Sequence, residues 1–331
     1  MGEDLLVLQA EFPAFRIWQE QMPPGRVRYI ACSRLQGVNP HTVITADIGE
    51  LRDALRPGMA DDDDGERMFS TAEPNIARMY AYWLHGKDHY ATDRAAASKV
   101  LERFPEVAEV ARANRSFVTR AVRYLADQGI TQFIDIGSGL PASPNVHETV
   151  RTITPGARVV YVDRDPVVVA HARARLAVDE NIGVVAGDIR DPARLLRAVA
   201  RIGVIDSIRP AGVLLTSLLH FLTAAEADAA VAVLREWMPP GSYLVISAGT
   251  STGTDPELIR LLQDVYGGIA PVIGRTEAGI AAWFDGLTLV EPGLVDVWAW
   301  RPDTWRRPAT ARARFLGGVG RKPTGPADWS P

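Results

Sequence analysis

The sequence predicts an α/β fold: a doubly wound sheet ending in an antiparallel hairpin, preceded by a helical cap and a small appended α+β module. Three observations predict it. Five apolar runs, QFIDIG, RVVYVD, IGVVAG, GVLLTS and SYLVIS, are separated mostly by segments of helical period. They read as apolar on both faces, the pattern of strands in a parallel sheet covered on both sides. The rhythm then changes at LTLVEPGLVDVWAW, where two apolar runs flank Glu291-Pro292-Gly293. That spacing predicts a hairpin and not a crossover.

From the N-terminus, residues 1–58 predict the appended module. FRIWQE and RVRYIACS are rich in β-branched and aromatic residues and read as strands, and DIGELRDALR reads as a helix opened by Asp47. DDDDG, at 61–65, is a like-charge run that cannot pack against itself, so 59–67 is expected to be an acidic linker. A helical stripe of Ile76, Met79, Tyr80, Trp83 and Leu84 stops at Gly86, a residue suited to a helix end. A second helix is expected from Thr92 or Asp93. A third, long one carries Val107, Val110, Ala111, Phe117, Val118, Ala121, Val122 and Leu125 on one face. The five strands and the hairpin follow. Beyond residue 304 the chain is rich in Arg, Pro and Gly without periodicity, so 304–331 is expected to be a disordered tail.

Composition removes several function classes. With 331 residues, 47% hydrophobic and 23% charged, the chain has the make-up of an ordinary globular protein. A net charge of −4 offers no electrostatic footprint for nucleic acid or an anionic membrane. One cysteine, Cys32, excludes an intramolecular disulfide and suits a reducing compartment. MGEDLLVLQAEF has no cationic stretch leading into a long apolar one, so a cytoplasmic location is expected. The six histidines, at 41, 85, 89, 147, 171 and 220, show no metal-ligand spacing, and no metal is expected. Gly86-Lys87 lacks the earlier glycine and the following Ser or Thr of a phosphate loop.

The chemistry concentrates at FIDIGSGLPASPNVHE. An apolar run ends in Asp135, and Gly137, Ser138 and Gly139 follow. In open α/β sheets ligands lie at the carboxyl ends of the strands, and these glycines let the backbone approach one closely. A dinucleotide fingerprint would place a third glycine near position 142. Here that position is Ala142, between Pro141 and Pro144, which disfavours the tight turn a pyrophosphate needs. An adenosine without phosphates has no such need, and S-adenosylmethionine is such a ligand. Asp163 lies 24 residues beyond Gly139, where a carboxylate accepts from ribose hydroxyls; Asp165 is the competitor, or else the cap of the next helix. After the third strand, Asp188 offers an acceptor for an adenine amino group and Ile189 an apolar contact for its ring; a plain turn aspartate is the alternative.

DIGSG, YVDRD, GDI, the Pro239-Pro240-Gly241 turn and the terminal runs together resemble a class I S-adenosylmethionine-dependent methyltransferase with a Rossmann-like sheet. More narrowly, PNIARMYAYWLHGKDHYATDR, ARANRSFVTRAVRYL, QFIDIGSGLPASPNVHE and WFDGLTLVEPGLV resemble the bacterial S-adenosyl methyltransferase family long catalogued as a domain of unknown function. The resemblance covers 68–303, with a helical cap over 74–128. Its departure from the general class I pattern is Pro141 in the glycine-rich loop. It implies a cofactor site of Asp135, Gly137, Ser138, Gly139, Asp163, Arg164, Asp188, Ile189, Tyr80 and Ser217. Asn114 interrupts an apolar helix face, and it is either satisfied within the structure or, with Arg115, meets the methionine end of the cofactor. His220, beyond the fourth strand, stands where acceptors lie in such enzymes, as a base or as a packed histidine. YAYWLHGKDHY, with Tyr80 and Tyr82, is expected to be a lid. The partner implied is a small-molecule methyl acceptor, with no nucleic acid and no membrane. A non-catalytic cofactor-binding protein is the alternative, and an NAD-dependent oxidoreductase a more distant one.

Overall fold

The computed structural model describes residues 3–13, 15–22, 26–33, 42–55, 73–303 and 312–325. The acidic linker at 59–67 lies outside them. The N-terminal module comprises α1 (Glu3–Glu11), β1 (Phe15–Met22), β2 (Arg26–Ser33), β3 (Thr42–Thr45) and α2 (Ile48–Leu55), its strands forming an antiparallel sheet in the order β1-β2-β3. Sequence reading did not anticipate α1 or β3. Leu5, Leu8, Ile17, Ala31 and Leu51 are buried together as the module's own core. The Asp47 carboxylate accepts from the Gly49 and Glu50 N–H groups and so caps α2.

Three helices precede the large sheet: α3 (Ile76–Trp83), α4 (Ala91–Arg103) and α5 (Val107–Asp127). Asn75 caps α3 through the Ala77 and Arg78 N–H groups. The helix stops where His85 turns to φ 60° and the Gly86 N–H donates to Ala81 O at 2.8 Å. A Cβ on Gly86 would lie 2.9 Å from that same oxygen, so a side chain is excluded there. The second helix starts at Ala91, slightly before the expected residues, because the Asp93 carboxylate accepts the Tyr90 N–H at 2.7 Å. The apolar face of α5 lies buried against the sheet through Phe117, Ala121, Val122 and Leu125.

The sheet is built from β4 (Gln132–Ile136), β5 (Arg158–Asp163), β6 (Ile182–Ala186), β7 (Gly212–Thr216) and β8 (Tyr243–Thr250), linked by α6 (Val146–Arg151), α7 (Pro166–Arg175), α8 (Pro192–Arg201) and α9 (Ala224–Trp237). After them come α10 (Pro256–Tyr266), α11 (Glu277–Ala281), β9 (Thr288–Leu289), β10 (Val295–Asp296) and β11 (Arg314–Arg321). The strand order is β10-β11-β8-β7-β4-β5-β6, parallel from β8 to β6, with β9 also pairing β11. Every one of the five apolar runs is therefore a parallel strand. The order reverses between β4 and β7, which opens a crevice at their carboxyl ends.

Two expectations are corrected. The runs on either side of Glu291-Pro292-Gly293 do not form a hairpin with each other; β9 and β10 each pair antiparallel with β11. The turn signal is real, with Gly293 at φ 87° and its N–H on Val290 O, but the partner strand comes from further along the chain. Residues 314–321, assigned to a disordered tail, are that strand, inserted antiparallel between β8 and the short pair. The remaining tail residues, 304–311 and 326–331, lie outside the described ones. Nothing in RFLGGVGR advertises a strand, because glycine is depleted in strands. Its glycines are needed for space: a Cβ on Gly317 would sit 2.9 Å from the Phe117 ring, and one on Gly320 2.8 Å from Phe284.

Candidate cofactor site

At the carboxyl ends of β4, β5, β6 and β7 lies a cavity of about 1160 Å³, part of it open to solvent. Its floor is the turn after β4. The Gly137 and Ser138 N–H groups both donate to Val162 O, tying the turn to β5. Gly137 and Gly139 adopt φ of 71° and 65°, the left-handed region that glycine enters without strain. A Cβ at Gly137 would also lie 2.8 Å from the end of the Leu218 side chain, which would have to shift. The turn then runs into the proline-containing loop, which Arg115 holds by donating to Ala142 O at 2.8 Å and Pro144 O at 2.9 Å. The guanidinium thereby ties the loop to α5.

Asp163, at the end of β5, accepts the Gly139 N–H at 2.9 Å through one oxygen and the Asp165 N–H at 3.0 Å through the other. Burial pushes its carboxyl up to about 6, the two N–H groups pulling it partly back. Asp165 is the cap of α7, accepting from the Val167 and Val168 N–H groups, and it also accepts from the Asn75 side-chain amide. Thus the competing aspartates divide the work: Asp163 holds the glycine turn, Asp165 starts the helix.

Of the residues singled out from sequence, Gly137, Ser138, Gly139, Asp163, Arg164, Asp188, Ile189, Asn114, Arg115, Tyr80 and Ser217 all line this cavity. Asp135 does not. It sits beneath the turn, buried at 4% exposure, where desolvation raises its carboxyl to about 6. Asp188 is already engaged by Arg190, with Arg164 at 3.7 Å. Burial pushes its carboxyl up, but the Arg190 hydrogen bonds outweigh this and hold it below the usual range. Sequence reading missed Asn75, Leu140, Leu218 and Phe221 on the wall. Asn75, directly before an apolar helical stripe, carried a cap signal that would have found it.

Asn114 is satisfied within the structure, the first of its two alternatives. Its amide donates to the Tyr80 hydroxyl at 3.0 Å and its oxygen accepts from Ser247 Oγ at 2.6 Å, while Tyr80 donates to Ala111 O. The Ser217 N–H, at φ 55°, donates back to Ser247. This chain ties α3, α5, β7 and β8 together, and it forms a polar wall of the cavity. Tyr82 is a correction: its hydroxyl lies 3.4 Å from Ser98 Oγ, facing α4 and away from the cavity. Asp88 of the expected lid takes Arg175 of α7 at 2.7 Å, so that segment latches onto α7.

His220 lines a second cavity and not the first. That cavity encloses about 900 Å³, partly open, and shares Ile76, Tyr80, Asn114, Ser217 and Phe221 with its neighbour. The His220 ring packs at 4.2 Å from Phe221 and 5.6 Å from Phe315, and its buried Nδ1 has no hydrogen-bond partner among the described residues. Desolvation lowers it to about 4, so the imidazole is neutral near pH 7. Among the described residues no cluster fits a metal ion, and no helix is long and apolar enough to cross a membrane.

The sequence profile of a family described as S-adenosyl methyltransferase matches residues 62–323. A structure from Thermobifida fusca YX, described as a proposed methyltransferase, is 39% identical over 76% of this chain and 96% of its own, with a TM-score of 0.71. A DUF574 family protein from Streptomyces avermitilis MA-4680 is 36% identical over 76% of this chain and 99% of its own, with a TM-score of 0.72. None of the curated proteins matches the chain.

Proposed function

Because the chain belongs to the S-adenosyl methyltransferase family and has the class I methyltransferase fold, we propose that it transfers a methyl group from S-adenosylmethionine to a small-molecule acceptor of the secondary-metabolite kind. The observation that carries this reading is the pairing of the left-handed Gly137–Gly139 turn with the Asp163 carboxylate on one cavity wall. The residues fit the cofactor. Ser138 Oγ is buried on that wall with no partner among the described residues, a polar atom that a bound ligand satisfies. Asp163 keeps lone pairs for ribose hydroxyls, Ile189 offers an apolar face for adenine, and the Asn114–Arg115 wall stands for the methionine end. When bound, S-adenosylmethionine supplies an electrophilic methyl group on a sulfonium sulphur.

The chain's own part is positioning and water exclusion. Helix α3 lays Ile76, Ala77, Tyr80, Ala81 and Leu84 along the cavity, so its cover comes from the segment before the first parallel strand. Holding donor and acceptor at reacting distance is itself a large part of catalysis of a displacement. We assign His220 as the group that takes the acceptor's proton, because its buried Nδ1 has no partner among the described residues; burial weakens it as a base, so it receives the proton only as the forming methyl bond makes that proton strongly acidic. The absence of an Asn/Asp-Pro-Pro-aromatic run after β7, where TSLLHF stands instead, and the net charge of −4 both speak for a small acceptor over nucleic acid.

Calorimetric titration with S-adenosylhomocysteine and, in parallel, NADH tests the reading. Binding of the first and not the second supports it, and NADH binding alone sinks it. Transfer of tritiated methyl from the cofactor into a small-molecule fraction of cell extract separates an enzyme from a protein that only binds the cofactor.

A further inference from the structure

The second cavity differs in kind from the first. Its walls are ring and aliphatic side chains, among them Trp83, Phe104, Phe221, Tyr266 and Phe315. The polar groups along it are mostly spent. Thr250 Oγ1 donates to Arg275 O, Thr254 Oγ1 to Thr250 O, and Asn114 and Tyr80 hold each other. Among the described residues the one guanidinium on this wall, that of Arg314, donates to Glu277 at 2.8 Å and has Asp296 at 3.5 Å, so its charge is neutralised. The buried Nδ1 of His220 has no hydrogen-bond partner among the described residues.

Resting on the reading of the first cavity as the cofactor site, we propose that the second cavity binds the acceptor and selects an uncharged aromatic molecule with a single hydroxyl or N–H directed at His220. A charged acceptor would lose its hydration here without finding an opposite charge that is not already paired, which is costly in an apolar site. An aromatic one gains ring contacts on several walls. The volume of about 900 Å³, part of it open, falls in the range of sites for molecules of drug-like size. The two cavities meet at Tyr80, Asn114 and Ser217, so an acceptor seated against His220 faces the cofactor site across that shared wall. In the transfer the acceptor's lone pair forms the bond to the methyl carbon, the carbon–sulphur bond breaks with its electrons left on sulphur, and the acceptor's proton passes to His220.

The test uses the full chain saturated with S-adenosylhomocysteine, and 2-naphthol, naphthalene and 2-naphthoate as probes, with affinities read by calorimetry or fluorescence. The expected order is 2-naphthol tighter than naphthalene, and both at least tenfold tighter than the charged naphthoate. Leu262→Trp, which fills the second cavity from α10 without touching the first, should weaken 2-naphthol at least tenfold and change S-adenosylhomocysteine affinity less than twofold. His220→Phe keeps a ring in place and removes the acceptor, so it should erase the roughly 3- to 10-fold preference of 2-naphthol over naphthalene that one hydrogen bond gives. Equal or tighter binding of naphthoate, or 2-naphthol affinity untouched by both variants, overturns the inference while S-adenosylhomocysteine binding leaves the cofactor reading standing. Failure of the wild-type chain to bind S-adenosylhomocysteine overturns that reading, and this inference with it.

Discussion

Asp163 is asked to do two things with one carboxylate. It fixes the glycine turn through the Gly139 N–H, and in the proposed complex it also accepts from the ribose. Hydrogen bonds to a charged group contribute roughly 1.5–3 kcal/mol, so Asp163→Ala is expected to weaken S-adenosylhomocysteine binding about 10- to 100-fold by calorimetry. The far-ultraviolet circular dichroism should be unchanged, because β5 is held by its neighbours on both sides. The same carboxyl gives a pH dependence with a definite sign. Burial raises it to about 6, so it is ionised above that pH and protonated below. Ligand hydroxyls favour the ionised form, which has more acceptor capacity. Affinity should therefore hold between pH 7 and 8 and fall as pH drops through about 6, by up to about tenfold per unit. Asp163→Asn should flatten that slope. Since Asp135 is raised to about the same value, a slope that survives Asp163→Asn and disappears in Asp135→Asn would move the titration to the residue beneath the turn.

At the scale of elements, the helical cap is held to the sheet at named points. Asp93, fully buried, pairs with Arg78 at 2.9 Å and also accepts the Asn75 and Tyr90 N–H groups, so one carboxylate joins the starts of α3 and α4. Asn75 then reaches Asp165 at the start of α7, and Asp88 reaches Arg175 at its end. Breaking a buried pair from one side costs about 3–5 kcal/mol because it strands a charge. Asp93→Ala is therefore expected to speed hydrogen exchange across 75–94 far more than in β4 or β5. Cofactor should slow exchange across 76–94 together with 135–140 in the wild-type chain; protection confined to the glycine turn would reject the lid. These elements were unequally legible. The strands β4 to β8 announce themselves because burial on both faces demands unbroken apolar runs. The glycine turn and Asp163 were legible because backbone geometry restricts the residue types allowed there. Strand β11 was hidden because packing against Phe117 and Phe284 requires the residue with the weakest strand signal. The cavity around His220 was hidden for another reason: its walls come from α3, α5, β8, α10 and β11, and no local pattern shows which apolar faces fail to meet.

Across the whole molecule, the two ends of the chain stand in opposite relations to the cofactor site. The N-terminal module has its own core, and the described residues lining the cofactor cavity start only at Asn75. The family match starts at residue 62, after the module's last described helix. The module does touch the larger unit, β3 packing on α7, but none of its described residues lines either cavity. Deleting residues 1–61 is therefore expected to leave S-adenosylhomocysteine affinity within about twofold. Insolubility of that shortened chain would instead make the β3 contact a needed cover for α7. The C-terminal end is the reverse case. Strand β11 pairs with β8 along its full length and is the sole partner of β9 and β10 among the described residues. Leu316 and Val319 are fully buried, one in the core on each face of the sheet. Losing two such side chains forfeits several kcal/mol by itself, and exposing the β8 edge and the rings packed over the strand adds to it. Against a total stability of about 5–15 kcal/mol, that loss is decisive. A chain ending at residue 311 is expected to give no cooperative thermal transition and no cofactor binding, although none of the described residues lining the cofactor cavity has been removed. Adding back a synthetic peptide spanning 312–325 in trans should restore part of both if strand insertion alone is what is missing. A truncated chain that melts cooperatively and binds S-adenosylhomocysteine would show that the sheet stands without its C-terminal strand.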